Sequence, residues 1–185
     1  MVGRRSDTRE RIQRVALELF AEQGYEKTSL REIAERLDLT KAALYYHFKT
    51  KEDIVHSFMS DLASALDDLL EWGRSHRDSA HAREEVLRRF SAVVAGEYAP
   101  VLRFMQQNMP AMRELGVKHA FAAKIQELFR LVCAGEDDPA TQLRSRLAVV
   151  ALMLQANPMF AADPETLPPA DVALRVALEL AAPRD

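Results

Sequence analysis

Only one cysteine, one tryptophan and six glycines occur among the 185 residues. A single thiol, Cys133, cannot close an internal disulfide. Its neighbours Leu131 and Val132 mark it as a buried small hydrophobe with no fixed cation nearby to activate it. A reducing cytoplasm is the expected home. The apolar run Ala148–Leu154 is far shorter than the roughly 20 residues a membrane helix needs. The basic start, with Arg4 and Arg5, runs into Thr8-Arg9-Glu10-Arg11 with no apolar stretch, which reads against a secretory signal.

Catalytic patterns are also missing. There is no G-x-S-x-G, no phosphate-binding loop and no dinucleotide fingerprint. None of the five histidines (His47, His56, His76, His81, His119) sits at H-x-x-x-H or H-E-x-x-H spacing. His76, Asp78 and His81 share a charged stretch that could hold a metal, but an isolated loop cluster of this kind is ordinarily solvated. The sequence therefore reads as a non-enzyme, with no cofactor and no metal expected.

Hydrophobic residues make up 48% and charged residues 29% of the chain, which fits a folded globular protein. Net charge is −3 overall, but it is uneven. Residues 1–51 hold 11 Lys and Arg against 8 Asp and Glu, while the remainder holds 14 against 20. A basic head on an acidic body points to an anionic partner for the head alone.

Helix signals run through nearly the whole chain, and strand signals are almost absent. Ile12, Val15, Ala16, Leu19 and Phe20 recur at i, i+3, i+4, i+7 and i+8, with Gly24 placed to end that helix. Ser29-Leu30-Arg31-Glu32 is a capping box in front of Ile33, Ala34 and Leu37. Only Asp38 and Leu39 then separate it from Thr40, which caps a short helix carrying Leu44 and Phe48. Helices joined so tightly must cross steeply, as in a helix-turn-helix.

A long helix is predicted from Lys51 to about Trp72, ending at Gly73, with Val55, Phe58, Leu62, Leu66 and Leu69 on one face. Arg74–Ala82 reads as a loop. Further helices are predicted near 83–95, 98–113, 117–133, 139–157 and 169–182, giving an all-α fold of about nine helices. The last two are unusually apolar. Leu147–Leu154 and Val172–Ala182 need cover that so short a chain can hardly supply, so a second copy across a two-fold axis is expected, with Leu147, Ala151, Leu154, Val172 and Val176 at the interface.

The short helix from Thr40 would display Thr40, Lys41, Ala42, Ala43, Tyr45, Tyr46 and His47. Short side chains let a helix enter a groove, while Lys41, the Thr40 hydroxyl, Lys49 and Lys51 offer donors to phosphate at its two ends. Through FAEQGYEKTSLREIAERLDLTKAALYYHFKTKEDI in particular, the first fifty or so residues closely resemble the DNA-binding head of the TetR family of bacterial transcription regulators. The resemblance rests on F-x-x-x-G-Y-x-x-T, the helix pair, L-Y-x-H-F at Leu44–Phe48 and K-x-K-E at the start of the long helix. Asp38 departs from the glycine common in such turns.

That resemblance implies a DNA-binding domain at residues 1–50 and a helical ligand-binding and dimerisation domain at 51–185. It implies a homodimer on double-stranded operator DNA, in our reading a repressor released by a small-molecule effector. Carried over by position, Tyr45 and Tyr46 would meet bases or phosphates and His47 phosphate. Thr40, Lys41, Ala42 and Ala43 would face the major groove, and Arg31 would reach a base edge. Lys51 and Thr28 would touch phosphate, and Arg4 and Arg5 would form a basic arm. For the effector, Phe90, Val94, Phe104, Met105, Phe121, Ile125 and Met153 are candidates to surround a cavity, with Gln106, Asn108, Gln155 and Asn157 to orient a mostly apolar ligand. The alternative reading is a helical dimer that acts through protein partners and carries a vestigial head.

Overall fold

Ile12, Ala16, Leu19 and Phe20 are all buried along one side of α1 (Gly3–Gln23), as the spacing of that stripe requires. The computed structural model describes residues 3–77, 81–135, 137–155 and 167–182, with side chains from Asp7 onward apart from those of 117–120. After α1 come α2 (Leu30–Arg36), α3 (Lys41–His47), α4 (Lys51–Ser75), α5 (Ala82–Ala95), α6 (Ala99–Gln107), α7 (Met109–Glu114), α8 (Val117–Val132), α9 (Pro139–Gln155) and α10 (Ala170–Ala181). No strand occurs among the described residues.

The turn between α2 and α3 follows from its residues. Leu37 ends α2, Asp38 adopts the left-handed conformation at φ 53°, and the Asp38 and Leu39 amides donate to the Glu35 and Ala34 carbonyls at 3.2 and 2.9 Å. This is a Schellman closure, in which a short polar residue takes the place that glycine usually fills. Thr40 then caps α3, its hydroxyl accepting the Ala43 amide at 3.1 Å. Leu44 and Phe48 turn inward and are buried against α1 and α2 residues of one continuous core.

Among the described residues ten helices form where about nine were expected, because the predicted 98–113 helix is two. Pro110 has no N–H to give to Gln106, so the backbone departs from the helix at Asn108, whose side-chain amide donates to the Phe104 carbonyl at 3.0 Å. The long helix also runs past Gly73 to Ser75, so Gly73 is a packing residue and not a stop. A Cβ there would lie 2.9 Å from Leu131 Cδ1 and 3.1 Å from Val86 Cγ2, so the missing side chain lets α5 and α8 close on α4. The predicted loop at Arg74–Ala82 shrinks accordingly.

α4 is the spine of the molecule. Its N-terminal turns pack on the head and its remainder on α5 and α8. At the far side α9 and α10 form the most extensive helix pair, because Ala173, Ala177 and Ala181 recur every four residues and let α10 lie close against Ala148, Val149 and Leu152. The other side of α9 is left uncovered, with Leu143, Leu147 and Leu154 at 37–57% exposure, and Val176 on α10 joins them.

Candidate nucleic-acid interface

α3 has a buried back and a polar front. Leu44 and Phe48 fix the back, so Lys41, Ala42 and Tyr46 must face outward, and Tyr46 is 60% exposed. Its ring meets His47 edge-on at 5.3 Å between centroids. Lys41 Nζ lies 5.4 Å from the centroid of the Tyr45 ring, and Tyr45 itself is half-buried against the core. Lys49 Nζ donates to the Tyr45 carbonyl at 2.6 Å, closing the C-terminal end of α3. Ala42 and Ala43 keep the middle of the front low. Arg31 on α2 is exposed and reaches back to Glu35 at 2.7 Å, a weak surface pair that a phosphate or base edge could replace.

Two residues assigned to phosphate by position do other work. Thr28 is buried, and its hydroxyl donates to the Gly24 carbonyl at 2.9 Å; the cap of α2 is its neighbour Ser29, whose hydroxyl and amide both bond Glu32 at 2.7 Å. Lys51 points inward. Its Nζ donates to the Tyr25 carbonyl at 2.8 Å, with Glu26 and Thr28 carbonyls at 3.3 and 3.4 Å, and lies 4.3 Å above the Tyr25 ring. A charge-assisted site of this kind leaves the ammonium engaged with the turn that links α1 and α2. Arg4 and Arg5 fall in the first turns of α1, so their backbone is helical and not an extended arm; their side chains lie outside the described residues.

Contacts that the linear pattern hid join the head to the body. Gln13 is 8% exposed, and its Nε2 donates to Ser57 Oγ at 2.8 Å and to Asp61 Oδ2 at 2.7 Å, both on α4. The Tyr25 hydroxyl donates to Glu52 at 3.0 Å; burial first, then that carboxylate, push the phenol well above its ordinary pKa. Phe104 on α6 stands 5.2 Å from Phe20, 5.8 Å from Tyr25 and 5.4 Å from Phe58, so one ring touches the head, α4 and the body together. A glutamine inside an apolar stripe, beside Ile12 and Ala16, was the one available sequence signal for this joint.

Of the effector candidates, Phe90, Val94, Met105 and Ile125 are buried in the common core, and Phe121 and Met153 pack against it. Phe104 belongs to the joint, and the Asn108 side chain is spent on the Phe104 carbonyl. Asn157 lies outside the described residues. The side-chain oxygens of Gln106 and Gln155 are buried without a hydrogen-bond partner among the described residues. His76 stacks on Trp72 at 4.4 Å, and Asp78 lies outside the described residues. Among those residues no group of three His, Cys, Asp or Glu is placed to hold a metal, and no helix is long and apolar enough to cross a membrane.

A tight pair of crossed helices, with the second one fixed behind and short-chained in front, defines a helix-turn-helix DNA-binding transcriptional regulator. Residues 12–58 match the family described as bacterial regulatory proteins, tetR family. The chain is 50% identical to the HTH-type transcriptional regulator AcrR of Shigella flexneri over 48 residues, a match covering 26% of this chain and 22% of that protein. It is 27% identical over 154 residues to an HTH-type transcriptional regulator of Staphylococcus aureus, covering 79% of this chain and 78% of that one. Both relatives bear the name of transcriptional regulators. Among solved structures, PfmR of Thermus thermophilus is 26% identical with a TM-score of 0.64, covering 91% of this chain and 96% of that one. AmtR of Mycobacterium smegmatis is 25% identical with a TM-score of 0.66, covering 96% and 87%.

Proposed function

We propose that this regulator is a cytoplasmic repressor, a homodimer whose two α3 helices read adjacent major grooves of a pseudo-palindromic operator and which leaves it when a small molecule binds. The observation that carries the DNA reading is the display of Tyr46 and Lys41 beside Ala42 on a helix whose opposite side is buried. In this reading Thr40, Lys41, Ala42 and Ala43 enter the groove, Tyr45, Tyr46 and His47 meet its edge and backbone, and Arg31 approaches from α2.

The dimer reading is supported by the uncovered Leu143, Leu147, Leu154 and Val176, which leave apolar surface on adjoining helices for a second copy to cover. Ala151 lies between Leu147 and Leu154 on that face, and Val172 is one turn from Val176. Two heads so joined must sit about 34 Å apart, or a multiple of that, to match half-sites one helical turn apart.

For release, α4 spans roughly 37 Å at 1.5 Å per residue, so a small tilt at its body end moves the head appreciably. Phe58, Met59 and Leu62, all buried on α4, would carry that tilt. Effector and operator must then weaken each other's binding by the same factor.

The test is footprinting and titration on DNA upstream of the chain's own gene. The expected result is a protected pseudo-palindrome whose affinity falls steeply with salt, through counterion release from phosphate contacts. Loss of protection at every site tried, with a folded dimer, would favour the protein-interaction reading.

A further inference from the structure

The joint between head and body encloses a cleft of about 920 Å³ whose walls are α1, α4 and α6. Its floor is apolar, formed by Phe58, Val101 and Phe104, with the half-buried Tyr98 beside them. Its lining carries both signs of charge with an acidic excess. Asp61 and Asp68, seven residues apart, lie on the same side of α4, and Glu97 faces them from the turn that precedes α6. Burial and then these three carboxylates raise the Tyr98 phenol above its ordinary pKa, so their fields overlap at the ring. Asp61 accepts from Gln13, but Asp68 and Glu97 make no hydrogen bond or ion pair with any described residue. Arg9, Arg14 and Arg103 also line the cleft, against five acidic residues with Glu10 and Glu18 included, which leaves the lining net negative. Arg9 is directed elsewhere, over the Phe48 ring at 4.6 Å.

We infer that this cleft binds an organic cation with an apolar body, its charge held by Asp68 and Glu97 against the Tyr98 ring and its body on Phe58, Val101 and Phe104. Anions are disfavoured there by three carboxylates around one ring. A bare metal ion is disfavoured because the acids do not converge into a ligand cluster. An ammonium, phosphonium or similar soft cation fits both features, since it is attracted to carboxylates and to aromatic faces and is weakly hydrated. The site lies at the joint and not inside the bundle of α5, α8 and α9. Where the regulator reading holds, its occupant would act directly on the angle between head and body, because Gln13 spans from α1 to Ser57 and Asp61 at the same place.

The experiment is calorimetric titration of the full chain with tetraphenylphosphonium, with tetraphenylborate as an anion of matching shape. Wild type should bind one phosphonium per chain, and Asp68→Asn with Glu97→Gln should weaken it at least tenfold. Both substituted residues are exposed and unpaired, so the thermal midpoint should stay put. The borate should not gain or lose affinity in parallel. Absence of phosphonium binding, or equal affinity in wild type and double variant, would overturn the site. No DNA enters that measurement. Operator titration of the cation-free double variant then tests the regulator reading separately: wild-type affinity with a lost phosphonium response supports both, and absent operator binding by wild type sinks the regulator reading while leaving the cleft standing.

Discussion

Ser29, Thr40 and Thr50 each open a helix by accepting a backbone amide on the side-chain hydroxyl, two of them in complete capping boxes with Glu32 and Asp53. In the body α5, α6, α7, α8 and α10 begin with no such bond, and only at α9, among the described residues, does a side chain cap the start, the Asp138 carboxylate accepting from the Ala140 and Thr141 amides. At the other ends the two regions do not differ: Asp38 closes α2 and Lys49 closes α3, and Asn108 closes α6 in the same local way. The head is shaped by residues that act on their own neighbours in sequence, each cap contributing about 1 kcal/mol. The body is shaped by apolar faces that fit one another. A rigid head can keep a reading face in register, and a body held by packing can shift when its packing changes, which is the division of labour a ligand-controlled DNA reader needs.

The contrast would break most visibly at Phe104, which belongs to both regions. Phe104→Ala should cost about 3–5 kcal/mol, the range for emptying a large buried aromatic site, and should destabilise head and body together. Urea unfolding followed by Trp72 fluorescence for the body and by head amide signals in NMR checks this. Coincident transitions, shifted alike, are expected; a shift confined to the body would mean that the joint does not couple them.

Next in size is the uncovered face of the body. Ala151→Glu would bury a carboxylate against Leu147, Leu154 and the partner's apolar surface, at a cost of several kcal/mol. Sedimentation should show dimer for the wild type at micromolar concentration and monomer or aggregate for the variant. A monomeric wild type would remove the interface altogether.

Within the head, two residues separate reading of DNA from holding the fold. Tyr46→Ala should lower operator affinity by about 1–3 kcal/mol with little change in thermal midpoint, because the side chain is 60% exposed. Lys51→Ala should instead cost about 1–3 kcal/mol of stability, the value of charge-assisted bonds to buried carbonyls, and lower operator affinity less. Equal losses of affinity without a stability change in both would return Lys51 to the phosphate-contacting set.

These residues also mark how far a sequence can be read. The caps, the crossed pair, the turn at Asp38 and the stripes of α1 and α4 were legible because each depends on residues within a turn of one another. Lys51 and Gln13 were not: their partners lie 23–26 and 44–48 positions away, and a lysine at a helix start looks the same whether it faces solvent or a carbonyl cluster. Gly73 misled for the same reason, since what excludes a side chain there is Leu131 on α8, far along the chain. Phe104 read as a cavity residue because helical periodicity says that a residue is buried without saying against what.

The smallest effect expected is a difference in acid sensitivity. In the head, the Arg36 guanidinium holds Glu22 below its usual range, and the Ser29 hydroxyl and amide do the same for Glu32. Glu52 is also lowered, since bonds from its own backbone, Tyr25 and Thr50 outweigh a desolvation that alone would raise it. In the described body only Asp138 is lowered, by the Thr141 hydroxyl and amide at the α9 cap. A carboxylate whose folded pKa is depressed contributes its full stability above the unfolded pKa, about 4.3 for glutamate, and loses it as pH falls through the lower folded value. Stability should therefore be flat near neutrality and decline from about pH 5 downward. Glu32→Gln and Glu22→Gln should each make that decline shallower, and added salt should erase the benefit for Glu22 first because its ion pair is exposed. Urea midpoints at a series of pH values measure the slope. If Asp138→Asn flattened it as much as Glu32→Gln and Glu22→Gln together, the head would have no greater dependence on local polar bonds than the body.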